Sequence, residues 1–298
     1  MKSKITLSAV LLCLCLLAVT VTSCGGFSDT EYAVVSQNNL SSDGFLYDLY
    51  ENNTVRIIGA ENAPALLTIP EEIDGMKVVS IADGAFANNS DILSLTFSGA
   101  PISVGSSAFS GCGALVSVDL ANAVTQLPAS IFEDCVNLVF VSGTSQVTSI
   151  GDYAFGSCSS LAVFPFGDAL TSIGQEAFRG CSSLSSVKLG AEITEIGRSA
   201  FWACENLSTV ELDCKAPVSE YMFLECSSLT DVKLGDNVTS IGEEAFRNCR
   251  ALYSIRFGCG ITSIADYAFH ACDSLTEVEF AKGRDKITFG SGNEALGS

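Results

Sequence analysis

From residue 64 to about residue 280 the apolar positions of the chain return with a period of 23 residues, shortened once to 22. The clearest marker is a phenylalanine, nearly always preceded by alanine, at Phe86, Phe109, Phe132, Phe155, Phe178, Phe201, Phe223, Phe246 and Phe269. Three residues after each of the last eight stands a cysteine, from Cys112 to Cys272, and three further on a leucine, from Leu115 to Leu275. Asn89 and Ile92 hold these two places in the first unit. A full unit reads Leu-x-x-Val-x-Leu, a turn, then Ile-Thr-x-Ile-Gly-x-x-Ala-Phe-x-x-Cys-x-x, most regularly over 184–206 and 229–251. Side chains alternate across a strand, so the fourth and sixth positions of such a unit, Val118 and Leu120 for example, share an inward face while the residue between them points out.

One unit cannot bury its own apolar face, whereas stacked neighbours can, and a 20–29-residue period with this leucine pattern is the signature of a leucine-rich-repeat solenoid. The expected fold is a right-handed coil of about nine 23-residue repeats over 64–280, with a parallel β-sheet on the concave face and short helical turns or irregular structure on the convex side. At about 4.8 Å per coil the array is roughly 43 Å long. Gly151, Gly174, Gly197 and Gly242 suit a bend that needs a permissive backbone, and the phenylalanines fill the space between the two sides. The unit from Leu207 to Ser228 is one residue short and carries Cys214, Pro217 and Met222 at variant places, which predicts a local irregularity within a continuous stack.

On these repeats the chain resembles the BspA-like, Treponema-type leucine-rich-repeat proteins of bacterial surfaces. The resemblance covers residues 64 to about 280 and implies the fold more strongly than any ligand, because such repeats serve many binding tasks. It also implies that the segment before the array caps its first coil. Over 43–63 the alternating Phe45-x-Tyr47-x-x-Tyr50 and Val55-x-Ile57 runs flank Glu51-Asn52-Asn53 and predict that cap as a β-hairpin. A bare terminal coil would expose its interior and an unpaired strand edge. Residues 281–298 leave the repeat, turn polar, and are read as a C-terminal cap or tail.

The N-terminus addresses the chain. Lys2 and Lys4 precede an apolar run from Leu11 to Val19, and Val21-Thr22-Ser23-Cys24 follows, so residues 1–23 read as a secretory signal too short to be a membrane span. The tetrapeptide resembles a bacterial lipobox, in which case Cys24 receives the lipid; the alternative is a plain signal with a coincidental cysteine. Residues 24–42 then form a tether. The expected product is exported and held by its acyl chains at a membrane, at the outer membrane or cell surface. Without Lys2 and Lys4 it carries 13 basic and 34 acidic side chains, a net charge of 13 − 34 = −21, which disfavours nucleic acid as a partner.

Candidate chemistry is sparse. The cysteine ladder invites metal or disulfide readings, but one thiol per coil at a fixed core position behaves as a small hydrophobe that serves nearby backbone groups. No Cys-x-x-Cys pair and a single histidine, His270, oppose a zinc site. Cys214 and Cys259 lie outside the ladder and are expected to be the more exposed thiols. No catalytic, cofactor-binding or metal-binding residue is assigned, and no cofactor is expected.

The outward strand positions are more telling. Leu93, Val116, Val139, Phe140 and Val163 give the first half of the concave face an apolar surface, and from about residue 185 the face turns polar and charged, with Tyr253 as a later aromatic. Exposed apolar patches of this kind mark partner surfaces. The expected function is therefore a non-enzymatic surface lipoprotein engaged in protein–protein interaction or adhesion through this face, and the family resemblance implies a host or bacterial surface protein as the partner. A carbohydrate-binding lipoprotein is the alternative, weakened because only Phe140 and Tyr253 offer stacking rings, and an envelope scaffold is a third reading.

Overall fold

The computed structural model describes residues 32–98, 101–282 and 287–293. Each repeat forms one coil of a parallel β-solenoid with a longer and a shorter strand on opposite sides. The longer strands form a four-stranded parallel sheet, Leu66–Ile69, Ser94–Phe97, Ser117–Asp119 and Phe140–Ser142, and a five-stranded one, Ser186–Leu189, Thr209–Leu212, Asp231–Leu234, Ser254–Phe257 and Glu277–Phe280. Register is strict: Val187 pairs with Val210 and Val210 with Val232, so every inward residue meets its counterpart one coil away. Between the two sheets only a single bridge, Phe140 to Val163, marks the coil that carries Pro165. Proline has no N–H to give to a ladder, which explains the gap.

The two-residue strands opposite form a second ladder, Gln126–Leu127 through Glu195–Ile196 and then Ser240–Ile241 through Thr288–Phe289. It is interrupted at the short repeat, where Val218 alone bridges to Ile241. This is the local irregularity expected there, and the core continues through it.

No helix forms among the described residues, so of the two expected forms of the convex side, short helical turns or irregular structure, it is the second that is found. Each coil instead links successive turns closed by i to i+3 bonds, such as Ala154 N–H to Gly151 O, Gly156 N–H to Tyr153 O and Cys158 N–H to Phe155 O. Two residues four apart in each coil have positive φ, for instance Tyr153 (57°) and Ser157 (60°), or Glu244 (53°) and Asn248 (62°). A left-handed residue at the third place of a turn is what a type II turn needs, and it stops helical propagation. The backbone groups freed by the turns bond to the next coil instead: Phe132 N–H to Ala154 O, then Phe155 N–H to Ala177 O.

The glycines of the Ile-Gly pairs have a different role from the one expected. Gly174 and Gly197 do not adopt positive φ; a Cβ there would fall 2.5 Å from Asp152 N and 2.3 Å from Gln175 N respectively. They are sites of close backbone approach between coils rather than bends.

Inside, the nine phenylalanines stack face to face with centroids 5.1–5.7 Å apart. Beside them each ladder cysteine donates its thiol to the carbonyl of the preceding coil's phenylalanine, as Cys181 Sγ does to Phe155 O at 3.2 Å and Cys249 Sγ to Phe223 O at 3.2 Å. All eight are buried free thiols. Burial pushes Cys158, Cys181, Cys204, Cys226 and Cys249 well up from the ordinary thiol range, and Cys272 up to about 12.

At the N-terminal end β1 (Val34–Leu40), β2 (Phe45–Tyr50) and β3 (Thr54–Ala60) form an antiparallel meander, with Asn53 at φ 62° in the β2–β3 turn. β3 joins Met76–Ile81 in parallel and so continues the shorter-strand side. β1 lies in the stretch expected to be tether, so chain from Val34 onward belongs to the cap. Residues 1–31, including Cys24 and the signal segment, lie outside the described residues. At the other end the tail expected to abandon the repeat supplies a last short strand, Thr288–Phe289. Asn293, buried where other coils place alanine, accepts from Phe269 N–H through Oδ1 at 3.0 Å. Its amide replaces the carbonyl that a further coil would supply.

Candidate functional site

The longer-strand sheet presents its outward residues in columns, because parallel register repeats each position one coil along. Leu93, Val116 and Val139 form one column, tied by Val116 N–H to Leu93 O (2.8 Å) and Val139 N–H to Val116 O (2.9 Å). Phe140 and Val163 stand next to each other in the adjoining column. Phe140 and Val163 are each 55% exposed, and Leu93, Val116 and Val139 are nearly as open. The structure thus brings five of the six sequence-chosen residues into one apolar surface.

Leu66 extends that surface and was missed by the sequence reading. It pairs with Ser94 at the start of the sheet and is 73% exposed. The first coil lacks the phenylalanine and cysteine markers upstream, so its strand was not aligned with the rest. The alternation Leu66-Leu67-Thr68-Ile69, with Leu67 and Ile69 buried, carries the signal.

Tyr253 does not join the patch. The strands Ser186–Leu189, Thr209–Leu212 and Asp231–Leu234 separate it from Val163, and its hydroxyl donates to Glu277 Oε1 at 2.8 Å. Around it the face is polar. Ser208 and Thr230 donate their hydroxyls to Ser185 O and Ser208 O. Glu211 lies between Lys188 (3.2 Å) and Lys233 (2.7 Å), and Arg256 holds Glu279 at 2.6 Å. Lys233 first, and Lys188 with it, hold the Glu211 carboxyl below the usual carboxylate range. Beyond these pairs the strand ends open a groove of about 490 Å³ lined by Asp213, Asp236, Phe257 and Phe280 among others.

His270 is exposed with its ring edge-on to Tyr267. Trp202, on the turn side, is half-buried, with Arg179 over its ring at 4.7 Å and its Nε1 donating to Glu225 at 3.2 Å. Cys259 is exposed, but Cys214 is buried, which corrects the expectation for it. In the shortened coil Cys214 and Ala216 both turn inward, where neighbouring coils bury Ile193 and Val238. Among the described residues no group of three or more His, Cys, Asp and Glu side chains is arranged to hold a metal ion, and no helix is long and apolar enough to cross a membrane.

A coiled parallel array with one phenylalanine and one leucine ladder, presenting a sheet face rather than a reaction pocket, is a leucine-rich-repeat solenoid. The family model for the BspA type leucine rich repeat region matches six copies over residues 79–208 and 216–291, and the chain belongs to that family. Among solved structures it is similar to a leucine rich cell surface protein from Faecalibacterium prausnitzii A2-165, at 20% identity and a TM-score of 0.51, covering 84% of this chain and 96% of that one. It is also similar to the T. pallidum leucine rich repeat protein, at 22% identity and a TM-score of 0.49, over 81% and 91% of the two chains. At these identities the likeness concerns the fold. No curated protein sequence matches the chain.

Proposed function

We propose that the protein is an exported, lipid-anchored, non-catalytic binding module that takes a protein partner on the first half of its longer-strand face. The observation that carries this reading is the cluster of exposed apolar residues Leu66, Leu93, Val116, Val139, Phe140 and Val163 on one face, interleaved with Ser94 and Ser117. Six open aliphatic and aromatic side chains on a rigid sheet form a patch of several hundred Å², the size at which exposed apolar surface on a monomer is commonly functional. The sheet holds these residues in place before a partner arrives, so little conformational entropy is lost on binding. Cell-surface placement is supported by the signal-like N-terminus with Cys24 and by the description of the similar Faecalibacterium protein.

The test is capture from bacterial envelope and host extracellular-matrix extracts by the wild-type protein and by a Phe140→Asp, Val163→Asp variant. Both sites are open, so the variant should keep its thermal midpoint. A protein held by the first and lost by the second is the expected result. Capture of glycan alone would replace this reading with carbohydrate binding.

A further inference from the structure

Resting on the interaction reading, the charge pattern around the patch names its partner's chemistry. Lys77 and Arg179 bracket 101 residues (78–178) that contain no lysine, arginine or histidine and eight carboxylates. This segment builds all of the apolar surface except Leu66. From Arg179 to Lys282 nine basic side chains accompany fifteen acidic ones, and several pair across strands. The absence of cations is thus confined to the half that carries the patch.

The carboxylates border the apolar columns on both margins. Asp91 stands two residues before Leu93 at the start of its strand and is exposed. Asp119 stands at the outer position of its strand between Thr96 and Ser142, and Asp168 follows Val163 on the far side; both are exposed. No ion pair among the described residues engages any of these three. Asp119 Oδ1 accepts only from the nearby Ala121 N–H, at 3.0 Å. A ligand that fills the apolar columns brings its own flanking groups beside unneutralised carboxylates. Anionic or neutral polar flanks there meet repulsion or lose water without return, whereas lysine or arginine flanks gain attraction and faster encounter.

We infer that this face selects a cationic amphipathic polypeptide segment, one that presents apolar side chains to the Leu93–Val163 columns and lysine or arginine to the acidic margins.

The experiment tethers the purified full chain to a sensor surface and measures three peptides of equal length: alternating leucine and lysine, alternating leucine and glutamate, and alternating serine and lysine. The leucine–lysine peptide should bind best, and its affinity should fall at least tenfold between about 50 and 300 mM salt. Asp119→Asn, which keeps an acceptor for Ala121 N–H, should weaken it about two- to fivefold. Phe140→Ser should abolish the preference over the serine–lysine peptide. Equal binding of the leucine–glutamate peptide would overturn the selectivity and leave the binding-module reading intact. Equal binding of the serine–lysine peptide, or indifference to Phe140→Ser, would overturn the inference by placing the attraction elsewhere. The extract capture tests the underlying reading separately.

Discussion

The two halves of the longer-strand face have one interior and two exteriors. From Leu66 to Val163 the outward face mixes exposed apolar side chains with hydroxyls such as Ser94 and Ser117 and carries unpaired carboxylates; from Ser186 to Glu279 it is hydroxyls and alternating charges that bond to each other. Behind both run the same phenylalanine stack and the same thiol–carbonyl bonds. The repeat therefore fixes inward residues for packing and leaves outward ones free to differ. The change of exterior coincides with the sheet gap at Pro165, where Val163 is joined to the first sheet only by its bridge to Phe140.

The strongest way to break this comparison is to show that the interiors are not equivalent. Phe109→Ala and Phe246→Ala each remove a fully buried ring stacked on both sides. Each should lower stability by about 3–5 kcal/mol, and chemical denaturation should give two midpoint shifts of similar size. A shift in one half only would mean that the stack is not a uniform support.

A smaller and equally symmetric effect is expected from the thiols. Cys135→Ala and Cys249→Ala each remove one of the two donors to a buried phenylalanine carbonyl, which keeps its backbone N–H partner, and should cost about 1 kcal/mol. In the native protein the ladder thiols from Cys158 to Cys272 should resist alkylation, because burial keeps them protonated and out of reach. Among the described residues the exposed Cys259 should label first, and Cys259→Ser should remove that signal.

The charged exterior should respond least, and only in its own half. Glu211→Gln removes the carboxylate between two lysines and should cost about 0.2–1 kcal/mol, less at high salt. The pairing lowers the Glu211 pKa in the folded protein. Its contribution is therefore complete above the ordinary glutamate pKa and disappears as pH falls through the lower folded value. Thermal midpoints of wild type and Gln variant should converge below about pH 4.

The periodic parts of this arrangement were legible in the sequence: period, strand phase, core ladders and the place where the face changes character. What escaped has local causes. β1 reads as polar linker because Val34-Val35-Ser36-Gln37 loses alternation at two register shifts. Asn293 looks like tail until its amide is seen to stand in for a backbone carbonyl. The choice between helical turns and irregular structure stayed open because non-glycine residues such as Tyr153 and Glu244 hold positive φ here, a cost borne through bonds to adjacent coils that no propensity records. Leu66 was hidden by an atypical first repeat, and the acidic margins matter only once their strands lie side by side.

The most direct test of the central claim is hydrogen exchange with and without the protein captured from the extracts. Protection should appear in peptides spanning 93–97, 116–120, 139–142 and 161–164 and leave those spanning 209–212 and 254–257 unchanged. Protection confined to the charged half, or to the turn side around Trp202, would contradict the account.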